Sequence, residues 1–156
     1  MHSMTMILSI ILAVTSFVAQ FVQQKQSPLF EVPQESVGVL TYHHPDYLRW
    51  EYTSPQPLVW ELNGNKGNMS SQLKSIVKLI RESIKGDFEK AKSSFDVTED
   101  GNTIILIPQK SELKNIFRSI RITLNPSTLI ADKVEMSEAE GDVTIIYFTN
   151  VQFLEP

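Results

Sequence analysis

The sequence predicts a mainly β (α+β) domain built on one large, strongly curved antiparallel sheet or partial barrel. Three observations carry this expectation. Short β-type runs recur from Ser36 to Leu154, split by strong turn signals. Several of them alternate apolar and polar residues, the mark of antiparallel strands with one greasy and one wet face. Only one long amphipathic helical stretch interrupts the series. So many consecutive meander strands fit a single curved sheet or a partial barrel.

The elements follow in order. No Asp, Glu, Lys or Arg precedes Lys25, and Met4 to Val14 is apolar except for Thr5 and Ser9. Residues 1–16 are therefore either an export signal or a hydrophobic helix of the mature fold, and residues 17–156 form a single domain. A membrane span of about 20 apolar residues would need Thr15, Ser16 and Gln20 as well, so a permanent anchor ranks third. Strands are then expected at Ser36–Tyr42, Tyr47–Thr53 and Leu58–Leu62, punctuated by His43-His44-Pro45-Asp46, Ser54-Pro55-Gln56-Pro57 and Asn63-Gly64. Leu48, Trp50 and Tyr52 share one face, with Arg49 and Glu51 on the other.

The helix spans the positions around Leu73, Ile76, Val77, Ile80 and Ile84, an i, i+3, i+4, i+7, i+11 stripe. Ser70 or Ser71 can cap its start and Gly86 can end it. It stands between two groups of strands, so it can lie across the concave side of the sheet. Beyond it, Phe95–Thr98 and Thr103–Ile107 flank Asp100-Gly101, a tight-hairpin pair. A helical turn is expected at Ser111–Phe117. Strands follow at Ser119–Leu124, Ile130–Met136, Asp142–Thr149 and Val151–Leu154. Ile120, Ile122 and Leu124 oppose Arg121 and Thr123.

Composition narrows the function. The chain has 156 residues, 42% of them apolar and 21% charged, which is globular. It has no cysteine, which excludes disulfides, a thiol nucleophile and an acylated N-terminal Cys. Fourteen basic against eighteen acidic residues give a net charge of -4, which disfavours nucleic acid. No glycine-rich phosphate loop or nucleophile elbow is present. His43-His44 reads first as a pair of surface turn residues, because adjacent histidines on a strand point apart and rarely chelate one metal. Lys74, Lys78, Arg81 and Lys85 form a basic stripe, either a solvated helix face or a contact for anionic headgroups or an acidic partner. Trp50, Tyr52 and Trp60 on neighbouring strands would ordinarily be core. A single open sheet with one or two helices may leave its interior unfilled, however, and that space would suit a flexible apolar ligand.

A family pattern then emerges. Phe17-x-x-x-Phe21-x-Gln23-x-Lys25 precedes Ser36-x-Gly38-x-Leu40-x-Tyr42. The block Pro45-Asp46-Tyr47-Leu48-Arg49-Trp50-Glu51-Tyr52-Thr53-Ser54-Pro55 follows, then Leu62-Asn63-Gly64-x-Lys66. Leu106-Ile107-Pro108, Met136-x-Glu138 and Gly141-Asp142-x-Thr144-x-Ile146 complete it. Over roughly residues 17–153 the chain resembles the LolA family of periplasmic outer-membrane lipoprotein carriers, in the form typical of Bacteroidetes-like bacteria.

The resemblance implies an unclosed antiparallel β-barrel with lid helices over a hydrophobic cavity. It implies a periplasmic carrier, monomeric and without cofactor or metal, that takes acylated lipoproteins from an inner-membrane lipoprotein-releasing ABC transporter to an outer-membrane acceptor. The acyl-binding residues expected are Phe17, Phe21, Leu48, Trp50, Tyr52, Trp60, Leu62, Ile105, Ile107, Ile120, Ile122 and Leu124. The expected lid is Leu73, Ile76, Val77, Ile80 and Ile84, with some of residues 4–16 as a first lid helix. The segment between Asn63-Gly64 and the lid looks shorter than usual, which removes a strand hairpin. Many members carry Lys or Arg before the Pro of the central block, able to pin the lid. Here His44 stands there, so the latch becomes pH-dependent. The competing readings are an enzyme, the receptor LolB, and a generic binder of lipid or fatty acid without lipoprotein clients.

Overall fold

The structure is a computed structural model that describes residues 16–69, 74, 77–79, 81, 88–128 and 130–154. Its strands are β1 (Phe17–Gln26), β2 (Gln34–His43), β3 (Tyr47–Ser54), β4 (Leu58–Asn63) and β5 (Lys66–Gly67), then β6 (Phe95–Asp100), β7 (Thr103–Pro108), β8 (Phe117–Leu124), β9 (Ala131–Glu138) and β10 (Val143–Phe153). All ten join one antiparallel sheet in the order β5-β4-β3-β2-β1-β10-β9-β8-β7-β6. The first and last strands meet at its centre, where β1 pairs β10, and the edges β5 and β6 do not pair with each other. The sheet is therefore unclosed.

It is also strongly curled. In a flat sheet β4 and β8 would stand six strands apart, about 29 Å at about 4.8 Å per strand. Trp60 on β4 and Phe117 on β8 nevertheless line the same cavity. Residues 74, 77–79 and 81 are helical. They fall in the connection from β5 to β6, so the chain passes from one sheet edge to the other through this helix.

One face of each strand makes the core. Phe17, Ala19 and Phe21 on β1 join Leu40 and Tyr42 on β2, Leu48 and Trp50 on β3, and Leu62 on β4. Ile104 and Leu106, Ile120 and Ile122, Val134 and Met136, and Ile146 and Phe148 continue it on the other half of the sheet. Gly38 is needed where β1 and β2 meet. It pairs with Phe21, and a Cβ there would strike the Glu51 carbonyl and come within 2.5 Å of the Phe21 ring.

One strand is added to the expected elements and four expectations are corrected. Phe17–Gln26 is a central strand, an element left unassigned from sequence. Asp142–Thr149 and Val151–Leu154 are not two strands but one, β10, kinked where Asn150 adopts a positive φ of 52° and the β1 register slips between Val18 and Gln20. The β6–β7 turn is Gly101-Asn102, with Asp100 still paired to Thr103. The helical turn is confined to Ser111–Lys114. The short segment after Asn63 does keep a minimal hairpin, through β5.

Candidate functional site

The concave face holds a half-open apolar cavity of about 210 Å³. β3 and β4 supply Trp50, Tyr52 and Trp60, and β1 supplies Gln23 and Lys25. Phe117, Met136, Glu138, Thr144 and Ile146 come from β8 to β10, and Val77 covers the cavity from the helix. Alternation dictates this lining. Gln23 and Lys25 continue the inward parity of Phe17 and Phe21, just as Tyr52 continues that of Leu48 and Trp50.

Aromatic packing builds the wall. The Phe21 ring lies 4.4 Å from Trp50 between centroids and meets Tyr52 edge-on at 5.4 Å. Trp50 meets Phe148 edge-on at 6.0 Å, and Tyr52 meets Trp60 edge-on at 5.2 Å. Each such pair adds about 0.5–1.5 kcal/mol beyond its buried area, which holds the wall in shape whether or not the space in front of it is filled. Tyr52 Oη donates to Gln23 Oε1 at 2.8 Å. Burial pushes the Tyr52 phenol above its usual range, against the smaller opposing effects of Trp50 and Gln23.

At the rim, Lys25 Nζ stands 3.6 Å from Asp142 and 3.9 Å from Glu138. Two carboxylates face one ammonium there. Among the described residues no group of three or more His, Asp or Glu side chains could hold a metal ion, and no helix is long and apolar enough to cross a membrane.

The helix is tied down by one cation. Arg81 is only 5% exposed, and its Nη1 donates to the backbone oxygens of Asp46 and Gly64, each at 2.7 Å. Asp46 O also accepts from Gly64 N–H at 3.2 Å. The β2–β3 turn, the β4–β5 turn and the helix thus converge on one node. The expectation of an exposed basic stripe is corrected at this position, while Lys74 and Lys78 are half-buried and Lys85 lies outside the described residues.

Other expected site residues fall as follows. Phe17, Phe21, Leu48, Trp50, Leu62, Ile120 and Ile122 are buried on the concave face, and Tyr52, Trp60 and Leu124 are half-buried against it. Trp50, Tyr52 and Trp60 border the cavity itself. Ile105 and Ile107 are corrected. β7 turns Ile104 and Leu106 inward and leaves Ile107 43% exposed on the outer face. Of the expected lid residues, Val77 is helical and 3% exposed, and Leu73, Ile76, Ile80 and Ile84 lie outside the described residues. So do residues 4–15. His44 is exposed in the β2–β3 turn, and its backbone N–H donates to Ser16 Oγ at 3.0 Å. Gln23, Lys25, Phe117, Met136, Glu138, Thr144, Ile146 and Arg81 are site residues that sequence reasoning missed; for all but Phe117 and Arg81 the family motif contained the signal, since they stand in its quoted runs.

Comparison with curated proteins returns no match. Among solved structures, the MucA/MucB complex of Pseudomonas aeruginosa matches with a TM-score of 0.57 at 12% identity, over 96% of this chain and 56% of that one. MucB alone matches with a TM-score of 0.55 at 11% identity, over 96% of this chain and 57% of that one. The chain thus spans little more than half the length of these neighbours, and the likeness is one of fold. A LolA superfamily protein from Nitrosomonas europaea matches with a TM-score of 0.46 at 8% identity, over 95% of this chain and 93% of that one. The family model described as outer membrane lipoprotein carrier protein LolA covers residues 13–155, nearly the whole of a chain whose sheet is unclosed and whose helix sits over an apolar hollow. The chain belongs to the LolA family.

Proposed function

We propose that this protein is a periplasmic lipoprotein carrier. It takes up the acyl chains of lipoproteins in the cavity of the curved sheet, shields them from water, and moves them from the inner to the outer membrane. The inner-membrane lipoprotein-releasing ABC transporter loads it, and an outer-membrane acceptor receives its cargo. The observation that carries this reading is the aromatic-walled apolar cavity roofed by Val77.

Magnitudes explain why a carrier is needed and how it avoids becoming a trap. Burying lipid is worth about 0.8 kcal/mol per CH₂. A chain of about sixteen carbons then carries on the order of 12 kcal/mol, so free passage through water is too slow to be useful. The half-open cavity, at about 210 Å³, is smaller than the roughly 300–1,000 Å³ of ordinary ligand pockets. Loading therefore requires the helix to leave. Acyl chains replace Val77 and its neighbours against the same wall, one apolar contact exchanged for another, and the net affinity stays moderate.

The latch is assigned to Arg81 rather than to His44. The reasons are burial and geometry: one guanidinium nitrogen on two carbonyls of two separate turns.

Mass spectrometry of what co-purifies with the protein from native periplasm tests the proposal. Acylated proteins are expected. Loose phospholipid or fatty acid without any acylated protein would contradict lipoprotein carriage.

A further inference from the structure

We infer that the cavity contains a donor subsite for the carbonyl of an ester- or amide-linked acyl chain, formed by Trp50 with Gln23 beside it. The inference rests on the acyl-carrier reading and adds what the site recognises besides hydrocarbon.

Trp50 borders the cavity and is 3% exposed, yet its buried Nε1 has no hydrogen-bond partner. A buried indole N–H normally finds one. The Tyr52 oxygen lies near it without a hydrogen bond of good geometry. Tyr52 instead donates its own proton to Gln23 Oε1, and this leaves the Gln23 amide nitrogen as a second donor. The unpaired indole N–H and the Gln23 amide nitrogen thus stand together as donors on one wall of an otherwise apolar space. A guest of pure hydrocarbon would leave the indole N–H unpaired, as it is without a guest. A carbonyl oxygen, with two lone pairs, would satisfy it.

The rim sets the charge of that guest. Lys25 is outnumbered by Glu138 and Asp142, and Glu138 Oε2 is buried without a hydrogen bond. A free carboxylate would meet a net negative rim, whereas a neutral ester or amide would not. The subsite thus selects chains that are already linked to a glycerol or an amine over free fatty acid.

The test is competition against a neutral fluorescent probe, N-phenyl-1-naphthylamine, with methyl laurate, N-methyl lauramide, laurate and dodecane. In the Trp50→Phe variant the ester and amide are expected to lose about five- to tenfold in affinity relative to dodecane, the worth of one neutral hydrogen bond. In the wild type, laurate is expected to bind more weakly than methyl laurate. Equal losses for all four competitors would overturn the subsite and leave the acyl-carrier reading standing. Failure of every competitor to bind the wild type would overturn both. Nuclear magnetic resonance of the wild type gives a reading without replacing Trp50. Its indole proton, assigned with Trp60→Phe, should move downfield with the ester and the amide. The same movement with dodecane would overturn the inference.

Discussion

Gly38, Tyr52 and Trp60 each answer to a different physical constraint. A methyl group at Gly38 would meet a backbone oxygen, which cannot step aside, and the Phe21 ring. Gly38→Ala is therefore expected to cost about 1–3 kcal/mol, as overpacking does, and a chemical denaturation midpoint equal to that of the wild type would refute the close approach. Tyr52 is an acid whose folded pKa is raised by burial above the ordinary 10.0. Its neutral form is favoured in the fold, so its contribution is full below the unfolded value and is lost as pH rises through the folded one. Stability should fall on going above about pH 10, and less steeply in Tyr52→Phe; parallel curves for the two proteins would contradict the assignment. Trp60 is half-buried at the cavity, unlike Leu48, which is completely buried. A charge at Leu48 would therefore threaten the fold itself, whereas one at Trp60 would face the guest.

Among the elements, the carrier reading assigns movement to the helix over the cavity, and Arg81 ties that helix to two turns of the sheet. Arg81→Leu removes two charge-assisted hydrogen bonds and should lower stability by about 2–3 kcal/mol. It should also raise the uptake of a neutral hydrophobic probe, because the roof is released. Lower uptake in Arg81→Leu would point away from an arginine latch. The strands show which elements sequence can read. β3 and β8 alternate apolar and polar residues, and their inward faces could be read directly. β7 runs Ile104-Ile105-Leu106-Ile107, which contains no polar residue to mark the wet face. A choice of parity there was open, and a one-residue error turns every side chain to the other face. β1 follows an uncharged apolar run and is central in the sheet, so apolar residues occur on both its faces and its period is masked. Arg81 looked like one member of a solvated stripe because its partners are backbone carbonyls of distant turns, which leave no mark on composition.

At the scale of the whole molecule, the sheet brings its first and last strands together and leaves its edges apart. That topology was legible in outline: a meander interrupted once by a helix gives two groups of strands with a cover between them. The size of the hollow was not legible, because it depends on how far ten strands curl and on which aromatic rings fill the bend. The result is an interior of about 210 Å³ that is apolar, walled by aromatic rings packed mostly edge-on and covered by a segment that Arg81 ties down. The account stands or falls on that interior accepting acyl chains. The direct measurement is extraction of a triacylated lipopeptide from phospholipid vesicles, followed by separation of protein from vesicles, for the wild type and Trp60→Glu. The expected result is a soluble complex of lipopeptide with the wild type, and none with a Trp60→Glu protein whose circular dichroism is native. Equal extraction by both proteins, or none by the wild type, would contradict the account.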